Sequence, residues 1–210
     1  RGGSATIGVD HEAYKPDPVA PWEENPQAGD IFTDLSSVGW AKDSIMALYE
    51  KGVVSPAADS RFRPEDAVTR EEFVKLLTTA LGVTAAETCS FTDAESGAWY
   101  VPYLAAAEAA EIVQGNPDGT FGVGQEIARE DMAVMVCRAA GQLEKTLPEQ
   151  VEKQAFTDDT AISDYAAEAV YTMQMAGILS GMGDGSFMPR ETASRAQAAK
   201  VIASLMAALS

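Results

Sequence analysis

Phe62-Arg63-Pro64-Glu65-Asp66-Ala67-Val68-Thr69-Arg70-Glu71-Glu72 is the stretch that decides the fold, because versions of it stand at two further places in the chain. An aromatic residue lies eight positions before an arginine at Phe62 and Arg70, at Phe121 and Arg129, and at Phe187 and Arg195. Upstream of those arginines by 36, 36 and 37 residues stands the aspartate of a single tripeptide, Phe32-Thr33-Asp34, Phe91-Thr92-Asp93 and Phe156-Thr157-Asp158. Two anchors at matched distance in three copies define an internal repeat, and the repeat is the unit from which the fold is built.

Apolar residues follow each arginine at +3, +6, +7, +10 and +11: Phe73, Leu76, Leu77, Ala80, Leu81; then Met132, Met135, Val136, Ala139, Ala140; then Ala198, Val201, Ile202, Leu205, Met206. This spacing predicts an amphipathic helix with one buried face. Thr69 with Glu72, and Ser194 with Gln197, have the form of a capping box, in which each side chain satisfies an orphaned amide of the first turn. Ala128 with Asp131 does not, and such a missing cap typically costs ~1 kcal/mol. Each arginine is therefore expected at the first turn of a helix, with its side chain free to reach out. An earlier helix in each copy is marked by Ile45, Leu48 and Tyr49, by Tyr103, Leu104 and Ala107, and by Val170 and Met173. Gly52 and Gly177 end two of these helices, and Glu111 stands at the same place in the second copy.

The domain plan is a lead-in over 1–31, a first repeat over 32–82, a linker over 83–90, a second repeat over 91–141, a linker over 142–155 and a third repeat over 156–210. The lead-in carries Pro16, Pro18, Pro21 and Pro26 without apolar periodicity and reads as an extended segment, a mobile tail or else one tacked to the body by Trp22. His11 reads as a solvated residue of that tail. The chain opens with Arg1 and shows no charged-then-apolar leader, which suggests a mature or excised fragment. No run of 18 apolar residues is present, so no membrane span is expected.

Acidic residues outnumber basic ones 32 to 15, giving a formal charge of -17, and this disfavours nucleic acid as a partner. Exposed charges more than ~8 Å apart are screened at physiological salt, so a local arginine still suits a small acidic ligand. Cys89 and Cys137 are read as free, partly buried thiols, with a disulfide between them as the alternative that spacing does not decide, and with one histidine and no CxxC pair no metal site is expected. Asp118-Gly119 and Asp184-Gly185 are turn signals rather than calcium loops, which need alternating oxygen ligands and a closing glutamate. The many carboxylates scatter over helix faces and form no catalytic pair, so no enzyme is expected and no cofactor.

Three copies of Phe-x-Asp, an aromatic at the start of a helix (Trp40, Trp99, Tyr165), a loop of the Asp-Gly-Thr-Phe type and a Thr-Arg-x-Glu helix start resemble the S-layer homology (SLH) domains of bacterial surface proteins. The resemblance covers Phe32 to about Leu209. It implies an all-α fold of three helix-loop-helix repeats in a pseudo-threefold arrangement around a central three-helix bundle, within a monomeric chain. It also implies non-covalent anchoring to secondary cell-wall polysaccharide, often through a pyruvylated amino sugar, outside the cell. Arg70, Arg129 and Arg195 would meet the acidic ligand in grooves between repeats, with Gly115 and Gly181 in the adjoining loops. A guanidinium fork matches a carboxylate. Trp40, Trp99 and Tyr165 would offer flat faces to a sugar ring or else pack in the core, and the arginines would otherwise form salt bridges across the seams. An assembly module that keeps the fold and has lost the glycan is the alternative. The copies differ, and unequal grooves are expected: the first has Pro56 to Ser60 in place of a glycine-rich loop, the second has Ala128 and Glu111, and the third lacks a tryptophan.

Overall fold

The computed structural model describes residues 31–84 and 86–210, so the lead-in, with His11 and Trp22, lies outside the described residues but for Ile31. Six α-helices follow in three pairs: α1 (Gly39–Glu50) and α2 (Arg70–Leu81), α3 (Val101–Ala109) and α4 (Arg129–Gln142), α5 (Asp164–Met175) and α6 (Arg195–Ala208). Among the described residues, extended pairing is limited to isolated bridges, Ala67 with Ser194, Thr69 with Glu126 and Ala128 with Thr192. The protein is all-α, as the repeats imply.

The helix boundaries follow from the local chemistry. Both capping boxes form: Thr69 accepts from the Glu72 amide while the Glu72 carboxylate accepts from Thr69, and Ser194 with Gln197 does the same. Ala128 offers no side-chain cap to α4. Gly52 and Gly177 take left-handed backbone after α1 and α5 (φ 71 and 69), and Glu111 is forced into the same region after α3 (φ 56), where a side chain is strained.

Within each repeat the Phe-Thr-Asp tripeptide holds the loop that precedes the arginine. Asp34 accepts from the amides of Phe62 and Arg63, Asp93 from those of Phe121, Gly122 and Val123, and Asp158 from those of Phe187 and Met188. The tripeptide phenylalanine packs on the loop phenylalanine in every copy, with centroids 5.5 Å apart for Phe32 and Phe62, 5.3 Å for Phe91 and Phe121, and 5.2 Å for Phe156 and Phe187. Phe62, Phe121 and Phe187 are buried, as plugs should be.

Between repeats the contacts run in a cycle. The main packing partner of α3 is α2, that of α5 is α4, and that of α1 is α6, so each first helix rests on the second helix of a neighbouring repeat. At the second helices, α6 touches both α2 and α4. Two residues before each arginine, three buried residues bond in a closed triangle: Val68 N donates to Ala193 O at 3.0 Å, Ala193 N to Ile127 O at 2.9 Å, and Ile127 N to Val68 O at 2.9 Å. One apolar cluster runs through all three repeats. A single helix pair cannot bury its own stripe, and the cycle supplies the missing partner each time.

Candidate functional site

The three arginines follow the same cycle. Arg70 Nε donates to Phe121 O at 3.1 Å, Arg129 Nε to Phe187 O at 2.9 Å and Arg195 Nε to Phe62 O at 2.9 Å. Each guanidinium also lies over the ring of that phenylalanine, 4.9 to 5.0 Å from its centroid. Their backbone amides continue the pattern, onto Gln125 O, Glu191 O and Asp66 O. The expectation that the side chains reach outward therefore needs refining. Arg129 and Arg195 are buried, and all three span a seam to the loop of the next repeat.

Two open grooves gather six of the eight candidate residues. The first, of about 440 Å³, is lined by Trp40 of the first repeat, Arg129 of the second, and Gly181, Met182, Gln197 and Lys200 of the third. The second, of about 330 Å³, takes Arg70 from the first repeat, Gly115, Asn116 and Asp131 from the second, and Tyr165 from the third. Each groove thus combines an arginine, the next repeat's loop, and an aromatic from the repeat after that. Arg195 and Trp99 are the corresponding residues of the third repeat pairing and line neither groove; Pro56 stands there in place of Gly115 and Gly181, and Trp99 packs beside Tyr100, Tyr103 and the Lys75 ammonium.

The loop glycines are required by space. A Cβ on Gly115 would lie 2.6 Å from Phe91 Cε1 and 2.9 Å from Thr120 O, and one on Gly181 2.6 Å from Ser186 O. The tripeptide ring occupies the volume a side chain would need. In the first repeat, with Pro56 there, Phe32 meets Phe62 edge-on at 78°, against 44° and 37° in the other two.

The grooves differ in charge. Beside Trp40, which is 52% exposed, Lys200 Nζ stands 5.4 Å from the ring centroid, and Arg129 Nη2 donates to Ser180 O at 3.0 Å. No Asp or Glu is found among the described residues lining this groove. Burial lowers the Arg129 pKa, and the Asp158 carboxylate opposes that shift. In the second groove Arg70 Nη1 donates to Asp131 Oδ2 at 2.5 Å, and the Tyr165 hydroxyl donates to Asp131 Oδ1 at 2.6 Å. Burial first, then the hydrogen bond to Asp131 and the charges of Asp131 and Glu130, push the Tyr165 hydroxyl above the ordinary tyrosine range. Glu111, which brings a negative charge to the position of the helix-ending glycine, is exposed, accepts from Gln142 Nε2 and is not among the residues lining this groove.

Sequence reasoning missed the tripeptide aspartates, Lys200 and Asp131. Periodic placement of the aspartates was visible, but their role needs a loop folded back across about 28 residues. Cys89 and Cys137 are free and partly buried, and burial raises the Cys137 thiol. Among the described residues no cluster of His, Cys, Asp or Glu suits a metal ion, and no helix is long and apolar enough to cross a membrane.

Comparison with known proteins identifies the repeat. The chain is 35% identical over 176 residues to an endoglucanase of Bacillus sp. (strain KSM-635), covering 83% of this chain and 18% of that protein. It is 33% identical over 177 residues to an amylopullulanase of Thermoanaerobacterium thermosulfurigenes, covering 83% of this chain and 9% of that protein. To the S-layer protein sap of Bacillus anthracis it is 31% identical over 180 residues, covering 84% of this chain and 21% of that protein. The chain spans about a fifth or less of the length of these relatives. The S-layer homology domain model matches residues 31–74, 90–133 and 155–199, one segment for each repeat, and the chain belongs to the S-layer homology domain family.

Proposed function

We propose that this chain is a non-catalytic module that anchors the protein carrying it to the bacterial cell wall, by holding an acidic, pyruvylated residue of secondary wall polysaccharide in the groove of Arg129. Domains of this family serve as cell-wall anchors in S-layer proteins and cell-surface enzymes. The observation that carries the reading is the composition of one groove. In a chain of net charge -17, Arg129 and Lys200 line it beside an exposed Trp40, with no carboxylate among the described lining residues.

The chemistry suits a ketal-bearing sugar. The cations attract the carboxylate, and a charge-assisted hydrogen bond there contributes about 1.5–3 kcal/mol. The indole face of Trp40 and the apolar Met182 offer contact to the ring and its methyl substituents. Gly181 lets the loop that lines the groove close onto Phe156 and Ser186. Arg70 with Gly115 and Tyr165 line a second groove with a different charge, and Arg195 and Trp99 are the corresponding residues of the remaining repeat pairing.

Purified protein-free walls, native or mildly acid-treated to remove the ketal, are incubated with the chain and sedimented. Retention on native walls that disappears after treatment is expected. Equal retention on both would reject the acidic ligand, and no retention on either would favour the assembly-module reading.

A further inference from the structure

The Arg70 groove contains its own carboxylate. Asp131 sits at the third position of α4, where the first and third repeats place Glu72 and Gln197. Those two side chains turn back to accept from the amides of Thr69 and Ser194. Asp131 is one methylene shorter than Glu72, and Ala128 provides no hydroxyl with which to complete a box. Its carboxylate points instead across the seam, to Arg70 Nη1 at 2.5 Å and the Tyr165 hydroxyl at 2.6 Å. Three repeats meet at this one group.

From this geometry we infer that Asp131 turns the Arg70 groove from an anion site into a site for an uncharged, hydroxyl-rich sugar residue. The inference rests on the reading of these grooves as glycan sites. An incoming carboxylate would have to displace Asp131 from Arg70 or stand beside it, and like charges at that range repel. A sugar diol meets no such obstacle. A carboxylate has about four lone-pair sites, so Asp131 can accept from Arg70 and Tyr165 and still accept from hydroxyls. Around it, Asn116 and Gln114 supply side-chain amides; Arg138, donating to the neutral Gln114 Oε1 at 3.3 Å, keeps a second positive charge among the lining residues, and buried Glu130, which accepts from the Tyr165 hydroxyl at 3.3 Å, sets a second carboxylate against it. The Tyr165 ring is 62% exposed while its hydroxyl is turned in, which presents the flat face to an apolar side of a pyranose. The two grooves thus select different residues of one polymer, an acidic one beside Arg129 and an uncharged one beside Arg70.

The test is amide NMR on the whole chain with two probes, methyl N-acetyl-β-D-glucosaminide and its 4,6-O-(1-carboxyethylidene) derivative. Gly115 and Asn116 report on one groove, Gly181 and Gly183 on the other. The acidic probe is expected to shift Gly181 and Gly183 at concentrations about tenfold or more below any effect on Gly115, the factor corresponding to one charge-assisted contact. The uncharged probe is expected to shift Gly115 and Asn116. In Asp131→Asn the acidic probe should gain access to Arg70 and shift Gly115 in its former range for Gly181. Comparable shifts of Gly115 and Gly181 by the acidic probe in the unaltered chain would overturn the inference, whether or not the variant folds. So would failure of the uncharged probe to move Gly115, or an unchanged pattern in folded Asp131→Asn. Loss of wall retention, by contrast, strikes at the anchoring reading itself.

Discussion

Arg70 Nη1 stands 2.5 Å from Asp131 Oδ2, an ion pair that joins the first repeat to the second. Arg129 and Arg195 span their seams onto carbonyl oxygens. The salt-bridge role weighed for the arginines is realised at Arg70, and truncation should have unequal effects. Arg70→Ala leaves Asp131 partly solvated with Tyr165 still donating, and a loss of about 1 kcal/mol is expected. Arg129→Ala empties a buried site and orphans the carbonyls of Phe187 and Ser180, and about 2–4 kcal/mol is expected. Urea unfolding of both variants checks the order. Melting temperatures within a few degrees of the parent at every arginine would show that the buried contacts carry little.

Trp40 and Trp99 should separate binding from stability. Trp40 is 52% exposed, so Trp40→Ala should weaken wall-polymer affinity by about tenfold while leaving the melting temperature nearly unchanged. Trp99 is half-buried against Tyr100 and Tyr103, and its removal should lower the melting temperature by several degrees. Calorimetry of the two variants, set beside polymer titrations, distinguishes the roles.

Acid should loosen the second repeat through Asp93. Burial works against ionisation of this carboxylate, but the amides of Phe121, Gly122 and Val123 outweigh it and hold the pKa below the usual range. A carboxylate with a folded pKa below its unfolded value of about 3.9 contributes stability above that pH, and loses it as the pH falls through the folded value. Melting temperature should accordingly drop below about pH 4, and Asp93→Asn should start lower at neutral pH and show a shallower acid decline. An identical acid limb in the variant would contradict this account.

Adding one carbon at Gly115 or Gly181 should be costly. The new Cβ would meet backbone oxygen in either case, at 2.9 Å from Thr120 O and 2.6 Å from Ser186 O. Each alanine variant is expected to lose about 1–3 kcal/mol from overpacking, with further strain at Gly115 from its left-handed backbone. Denaturant midpoints decide it. Unchanged midpoints would mean that the loops relax more easily than their packing implies.

Removing residues 143–210 should leave an incomplete cycle. Val68 N loses its acceptor Ala193 O, Ile127 O loses its donor, Phe62 O loses Arg195, and α1 loses α6. The remaining pair of repeats should self-associate or melt without cooperativity, as light scattering and amide spectra would show. A monomeric, cooperatively melting product would mean that two repeats suffice.

The sequence made the helices legible because stripe and cap are local signals. Phe73, Leu76, Leu77, Ala80 and Leu81 sit on one face, and Thr69 and Glu72 lie three residues apart. It did not say which repeat would cover which stripe, since the apolar face of α1 is satisfied equally by any helix of matching shape. The pairing of arginine with loop was hidden for the same reason. Asp131 left a trace, an acid at the third helical position behind an alanine that cannot share a cap. That trace shows a carboxylate released from its usual work, but not where it goes.

The triangle formed by Val68, Ile127 and Ala193 uses only peptide groups. Valine, isoleucine and alanine serve equally there, and nothing in the junction depends on what the neighbouring loops recognise. Mutational drift in one groove therefore leaves the registration of the other two undisturbed. Side chains in the three grooves can thus diverge one groove at a time without renegotiating how the three parts assemble.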